Sequence, residues 1–325
     1  MNAPLLQVDA LSVCFPARGA VGESRLLHAV DDVSFALEAG QTLGIVGESG
    51  CGKSTLARAI LRLTPVSSGT LRFDGRDYTH EHQKSLRPLR RAMRIVFQDP
   101  LASLNPRFSV AAAVREPLDI FEPGRPRAER DHEVAAMLER VGLGSEFHDR
   151  YPHELSGGQN QRVSIARALI GGPRLVICDE SVSALDVSIQ AQILNLLVDI
   201  QRDTGIALLF ISHDLSVVRH ISRDLLVLYL GRTMEYGPSE QVFREPRHPY
   251  TRALIDAVPT MDPHRERERS RLAAAPAGEM PSPLAPPSGC VYRTRCTGST
   301  ELCAIKRPAL LTPENGRQVA CHHSL

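Results

Sequence analysis

From Leu6 to about Ala257 the apolar and polar positions follow an alternation of strand and helix patterns. Leu11, Val13 and Phe15 alternate with small or polar neighbours, as in a half-buried strand. Val33, Phe35 and Leu37 do the same before the turn Ala39-Gly40. Thr42–Val46 is a short apolar run feeding directly into glycines, and Ser54–Leu63 follows with Leu56, Ile60 and Leu63 at helical spacing. Between about Asp99 and Arg150 the pattern turns helical: Val134, Leu138 and Val141 share one face, and a Pro/Arg-rich loop spans Glu122 to Arg127. Leu175–Cys178 and Ala207–Ile211 read as short buried strands, separated by a helix with Ile189, Ile193, Leu197 and Ile200 on one side. Strands alternating with helices predict an α/β fold with a largely parallel sheet covered on both faces, and the 99–150 stretch a helical subdomain. Beyond Ala257 the periodicity stops. His264–Arg271 is a mixed charge run, and Pro276 to Pro287 holds five prolines in twelve residues, the composition of a solvated linker.

Composition narrows the classes. With 42% hydrophobic residues the 325-residue chain can bury a core, which excludes wholesale disorder. The 38 basic and 37 acidic residues leave a charge of +1, against the basic excess of a nucleic-acid binder. No run approaches the roughly 18–20 apolar residues of a membrane span. Met1-Asn2-Ala3-Pro4 lacks a basic region followed by an apolar one, so no signal peptide is expected. Of seven cysteines, four fall after Gly289, which sets the tail apart.

Gly47-Glu48-Ser49-Gly50-Cys51-Gly52-Lys53-Ser54 fits the pattern G-x-x-x-x-G-K-[ST], with Thr55 behind it, a strand before and a helix after. Glycines let successive N–H groups turn inward around phosphate oxygens, and the new helix adds its positive end. Lys53 would reach the β- and γ-phosphates, and Ser54 would give its hydroxyl oxygen to Mg²⁺. Leu175-Val176-Ile177-Cys178-Asp179-Glu180 supplies the acidic element such a site needs, with both carboxylates at the strand's C-terminal end. Asp179 would hold Mg²⁺, and Glu180 would act as general base on the attacking water.

Leu155-Ser156-Gly157-Gly158-Gln159, opening a helical run, resembles the signature motif of ATP-binding-cassette (ABC) ATPases. On that resemblance Gln98 is similar to the glutamine that senses nucleotide and helps organise Mg²⁺. Ser183-Ala184-Leu185-Asp186 resembles the D-loop that touches an opposite subunit, and His213 the switch histidine at the γ-phosphate. Phe15 stands where the family places an aromatic under the adenine. The resemblance implies an ABC-type nucleotide-binding domain over 1–257, in which Ser156, Gly157, Gly158 and Gln159 act on ATP held by a second cassette. Asn160 and Ser181 depart from the family pattern at positions that supply no catalytic group.

The tail narrows the resemblance. Arg247-His248-Pro249-Tyr250-Thr251-Arg252-Ala253-Leu254, then Pro281-Ser282-Pro283, Pro287-Ser288-Gly289-Cys290 and Arg295-Cys296, resemble the extension of oligopeptide/dipeptide ABC importers, most closely their F-type ATPase subunit. The expected organisation is an ATPase domain over 1–257, a Pro-rich linker over 258–289 and a Cys module over 290–325. Cys290, Cys296, Cys303 and Cys321 are spaced C-x5-C-x6-C-x17-C, which by itself leaves zinc, an iron–sulfur cluster and free thiols open. The resemblance implies a [4Fe–4S] cluster there. Cys14 and Cys178 read as small core hydrophobes, and Cys51 as a variable loop position open to alkylation. The partners implied are a D-type ATPase subunit in a heterodimer, two permease subunits and, through them, an extracytoplasmic substrate-binding protein, with no nucleic acid. The implied location is peripheral, on the cytoplasmic face of a bacterial inner membrane. Related cassettes serve nickel, glutathione or antimicrobial peptides, and a redox- or iron-responsive binding module with incidental ATPase is the alternative of another class.

Overall fold

The structure, a computed structural model, describes residues 3–18, 24–183, 185–258, 279–311 and 316–324. The charge run His264–Arg271, Pro276 and Ala184 lie outside the described residues. In chain order, β1 (Leu6–Arg18), β2 (Ser24–Leu37) and β3 (Thr42–Val46) lead to α1 (Lys53–Ile60), β4 (Ser68–Phe73) and β5 (Arg76–Asp77). Then come α2 (Arg87–Ala92), β6 (Met93–Val96), α3 (Pro100–Ser103), α4 (Val110–Phe121), α5 (Arg127–Arg140) and α6 (Gly157–Leu169). They are followed by β7 (Leu175–Asp179), α7 (Val187–Thr204), β8 (Ala207–Ser212), α8 (Leu215–Ile221), β9 (Asp224–Tyr229) and β10 (Arg232–Pro238). Helices α9 (Ser239–Arg244) and α10 (Pro249–Asp256) precede the tail elements α11 (Glu301–Ile305) and β11 (Gln318–Val319).

The described chain divides into two compact units, one from residues 1–37, 42–80 and 212–325, the other from 38–41 and 81–211. In the first, β2-β1-β4-β5 form an antiparallel sheet. The alternation rule had placed the early strands in a parallel sheet. However, β1 and β2 are separated by five residues, too few for the crossover that parallel pairing needs. Register shifts at Val8/Leu11, Leu11/Val13 and Val13/Cys14, with Ala10 in the left-handed region (φ 46°), break the phase of β1. Leu11 and Val13 therefore stay buried, while Phe15 leaves the expected core stripe and is 37% exposed. Cys14 is half-buried rather than a core hydrophobe, its Sγ 3.3 Å from His28 Nδ1. On the other side of this unit, β3 runs parallel to β9, and β9-β10-β11 continue antiparallel. Helix α1 stops at Ile60, because Arg62 turns left-handed (φ 54°), and Leu63 is left exposed rather than on the helix face.

The second unit carries the parallel strands β6-β7-β8. Ile193, Leu197 and Ile200 bury one face of α7, and Val134 and Leu138 of α5, with Val141 just beyond, are buried as their spacing predicts. Among the described residues no helix is long and apolar enough to cross a membrane.

The tail belongs to the first unit, and one buried carboxylate fastens it. Glu235 on β10 is fully buried. It accepts hydrogen bonds from the backbone N–H of Arg247 (3.1 Å) and of His248 (2.9 Å), and pairs with the buried Arg317. Arg317 also donates to the Glu245 carbonyl at 2.6 Å. Removing one partner of such a pair leaves a buried charge uncompensated. Glu235→Ala should therefore cost about 3–5 kcal/mol. Calorimetry should register a Tm lower by roughly 10 °C; a shift under roughly 2 °C would show that the pair is dispensable.

Candidate functional site

The expected site residues divide between the units, and each group has its own geometry. In the first unit the loop from Gly47 to Gly52 links β3 to α1. Gly52, the residue capping α1, has φ 107°, and a Cβ there would lie 2.1 Å from the Ala29 carbonyl oxygen. Only glycine fits. Lys53 is buried, and its ammonium folds back to donate to the carbonyls of Gly47 (2.8 Å) and Glu48 (3.1 Å). The Cys51 N–H donates to the same Glu48 carbonyl at 3.2 Å. Ser49, Gly50, Ser54 and Thr55 complete this turn and the start of α1. Such a loop, with a positive helix end and a buried cation, is built to hold phosphate. His213, exposed, follows β8, and Asp214 beside it caps α8 by accepting from the N–H of Ser216 at 2.8 Å.

The second unit gathers the other residues. Ser156 caps α6, its hydroxyl accepting from the Gln159 N–H, while the Gln159 side chain accepts from the Ser156 N–H at 2.8 Å. Gly157 begins the helix, and a Cβ on Gly158 would come within 2.8 Å of Ile189 Cγ2 on α7. Asn160 staples this start by donating to the carbonyls of Pro152 (2.9 Å) and Ser156 (3.2 Å). At the end of β7, Asp179 is buried and Glu180 adopts φ 48°. That left-handed backbone is uncommon for a glutamate and is the kind of strain stored at working sites. Gln98 Nε2 donates to Glu180 Oε2 at 3.0 Å, joining two residues 82 positions apart. Of the expected D-loop, Ser183 ties back to the Glu180 carbonyl (2.9 Å) and Asp186 precedes α7; Ala184 lies outside the described residues.

The sequence pattern gave no sign of what holds Glu48. Its N–H donates to Tyr250 Oη at 3.0 Å, and its carboxylate takes both oxygens to Arg295 at 2.9 Å. Tyr250 is placed by His248, whose Nδ1 accepts from the Tyr250 N–H at 3.0 Å. Burial holds His248 neutral, its pKa lowered to about 4. Tyr229, Tyr250 and Tyr292 pack ring to ring beside them.

The cysteines occupy distinct settings. Cys290, Cys296, Cys303 and Cys321 form no disulfide, and burial, with the neighbouring tail thiols adding to it, pushes those of Cys290, Cys296 and Cys321 up. Among the described residues no group of three or more His, Cys, Asp or Glu meets the geometry of a metal site. Two of the sulfurs are engaged locally: Cys321 Sγ accepts from the His323 N–H at 3.4 Å, and Cys303 Sγ lies 3.6 Å from Thr300 Oγ1. Cys51 is buried with its pKa raised to about 11 by burial, which removes the expected alkylation site. Cys178 is fully buried, its pKa likewise raised to about 12.

A family model described as "ABC transporter" matches residues 30–183, and one described as "Oligopeptide/dipeptide transporter, C-terminal region" matches residues 234–303. The chain is 49% identical to the oligopeptide transport ATP-binding protein OppF of Haemophilus influenzae, over 98% of this chain and 96% of that protein. It is 46% identical to the dipeptide transport ATP-binding protein DppF of the same organism, over 99% and 97%. It also resembles the solved dimer of the ATP-binding cassette MJ0796 in a post-hydrolysis state bound to ADP and Pi. There the TM-score is 0.66 at 26% identity, over 72% of this chain and 98% of that one.

Two measurements check this description. Native full-length protein treated with iodoacetamide at neutral pH should leave Cys51 and Cys178 unmodified in peptide mass maps until it is denatured; rapid native labelling of Cys51 would contradict its burial. His248 binds its proton more weakly folded than unfolded, so stability should be full above about pH 6.5 and fall as pH drops from there towards about 4. His248→Gln should flatten that decline in urea titrations, and an unchanged slope would assign it to other groups.

Proposed function

Because the chain belongs to the ABC transporter family, in its oligopeptide/dipeptide branch, we propose that it hydrolyses ATP to drive import of di- and oligopeptides. The phosphate loop binds ATP: the amides around Gly50 and Gly52 turn to its phosphate oxygens, and Lys53 exchanges its carbonyl partners for the β- and γ-phosphates. Phe15, exposed on β1, offers a flat apolar face for the adenine. Ser54, Gln98 and Asp179 present the hard oxygen donors that Mg²⁺ takes, and the ion, when bound, would neutralise charge developing on the phosphates. Glu180 accepts the proton of the attacking water. Gln98 keeps that carboxylate oriented through its amide N–H, and His213 hydrogen-bonds the γ-phosphate. The hydroxyl of Ser156 and the N–H groups of Gly157, Gly158 and Gln159 serve the nucleotide of a partner cassette.

A single set of motifs in one chain needs a second cassette, and the tail favours a D-type subunit as that partner. Two permease subunits supply the membrane path, and an extracytoplasmic binding protein selects the peptide. On this reading the chain works peripherally, on the cytoplasmic face of the inner membrane.

The observation that carries the reading is the Gln98–Glu180 hydrogen bond at a strained backbone position. Reconstituted with its partners, Glu180→Gln should retain MgATP binding while turnover drops by about 10²–10⁴-fold. Turnover at the unchanged rate would remove Glu180 from the role of base.

A further inference from the structure

We propose that the C-terminal extension is a working part of the nucleotide site, with Arg295 acting as a positioning residue that neutralises Glu48 and fixes the phosphate loop for MgATP. The inference rests on the ATP-binding reading of that loop and deepens it.

Glu48 is a liability where it stands. A carboxylate inside a loop that receives phosphates repels the ligand unless its charge is matched. Its match comes from 247 residues further along the chain. Arg295 Nη1 is 2.9 Å from both Glu48 oxygens and 3.4 Å from Tyr229 Oη. The Arg295 side chain is only 7% exposed, against 28% for Glu48, so the pair is shielded from solvent far more than an ordinary surface bridge. Burial works against the guanidinium charge, yet the hydrogen bonds to Tyr229 and Glu48 outweigh it and raise the Arg295 pKa.

The same residue is gripped at its backbone. The Glu48 N–H is committed to Tyr250, so it is not part of the phosphate cradle, while the Glu48 carbonyl receives both Lys53 Nζ and the Cys51 N–H. Glu48 is thus the fixed post against which Lys53 of the phosphate loop is aligned. Arg295 and Tyr250 hold that post from outside, and Tyr292, three residues before Arg295, packs at 5.2 Å between ring centroids on Tyr250. Loss of Arg295 both restores the repulsive charge and frees the side chain that anchors the loop.

The test is a double-mutant cycle on the full-length chain, with the Kd for MgATP read by titration calorimetry and folding checked by thermal unfolding. Arg295→Gln should raise Kd about tenfold, the scale of a lost charge-assisted hydrogen bond. In a Glu48→Gln background the same replacement should change Kd by less than about twofold, because no charge is left to neutralise. A merely structural role for Arg295 would cost the same in both backgrounds, and that result overturns the proposal, as does a Kd unchanged by Arg295→Gln alone. Should Arg295→Gln fail to fold, Arg295→Lys carries the comparison: it keeps the charge but loses the planar reach to Glu48 and Tyr229 together. A weakening that vanishes with Glu48→Gln supports the proposal, and one that persists overturns it. A wild-type chain that does not bind MgATP would overturn the nucleotide reading itself, an outcome separate from any difference among the variants.

Discussion

The buried carboxylate of Glu235 is the constraint on which much of the first unit turns. A fully buried carboxylate is tolerable only if every oxygen is answered, and here three groups from two places along the chain supply the answers. Arg317 reaches it from the tail, and the N–H groups of Arg247 and His248 reach it from the segment entering α10. Those bonds set where His248 stands. His248 then caps the helix through Nδ1, which orients Tyr250, and Tyr250 receives the N–H of Glu48 in the phosphate loop. Three short links therefore run from a charge on β10 to the glycine-rich loop before α1. None involves a group that touches the ligand.

The two halves of the chemistry use opposite local devices. Around Gly52 the chain relies on the absence of a side chain, because the Ala29 carbonyl occupies the space a Cβ would need. At Glu180 a full side chain is held in the left-handed region, with Gln98 on its carboxylate and Ser183 on its carbonyl. Both break the usual preferences of backbone conformation, and such breaks gather where a protein must do something other than fold. The Ser156 capping box obeys every local rule, since a helix start that must offer N–H groups also needs to be stable.

Local pattern made the central strands and the motifs legible. Thr42–Val46, Leu175–Cys178 and Ala207–Ile211 were buried runs with distinctive residues at their ends, and the structure places strands there. The phosphate loop and the acidic pair were readable because their spacing is fixed by backbone geometry. What escaped was set by long-range contact. The bulges in β1 turned Phe15 away from the core face that simple alternation assigned it. The Arg295–Glu48 pair joins positions that no spacing rule connects.

The distance between Glu235 and its counter-ion has a consequence for how the protein is made. Arg317 leaves the ribosome 82 residues after Glu235, and Arg295 follows Glu48 by 247. During synthesis the phosphate loop exists long before the residues that brace it. A chain cut short before Arg317 keeps the glycine-rich loop and the acidic pair but lacks the partner of the buried Glu235. The braced loop therefore belongs only to a chain synthesised past both Arg295 and Arg317.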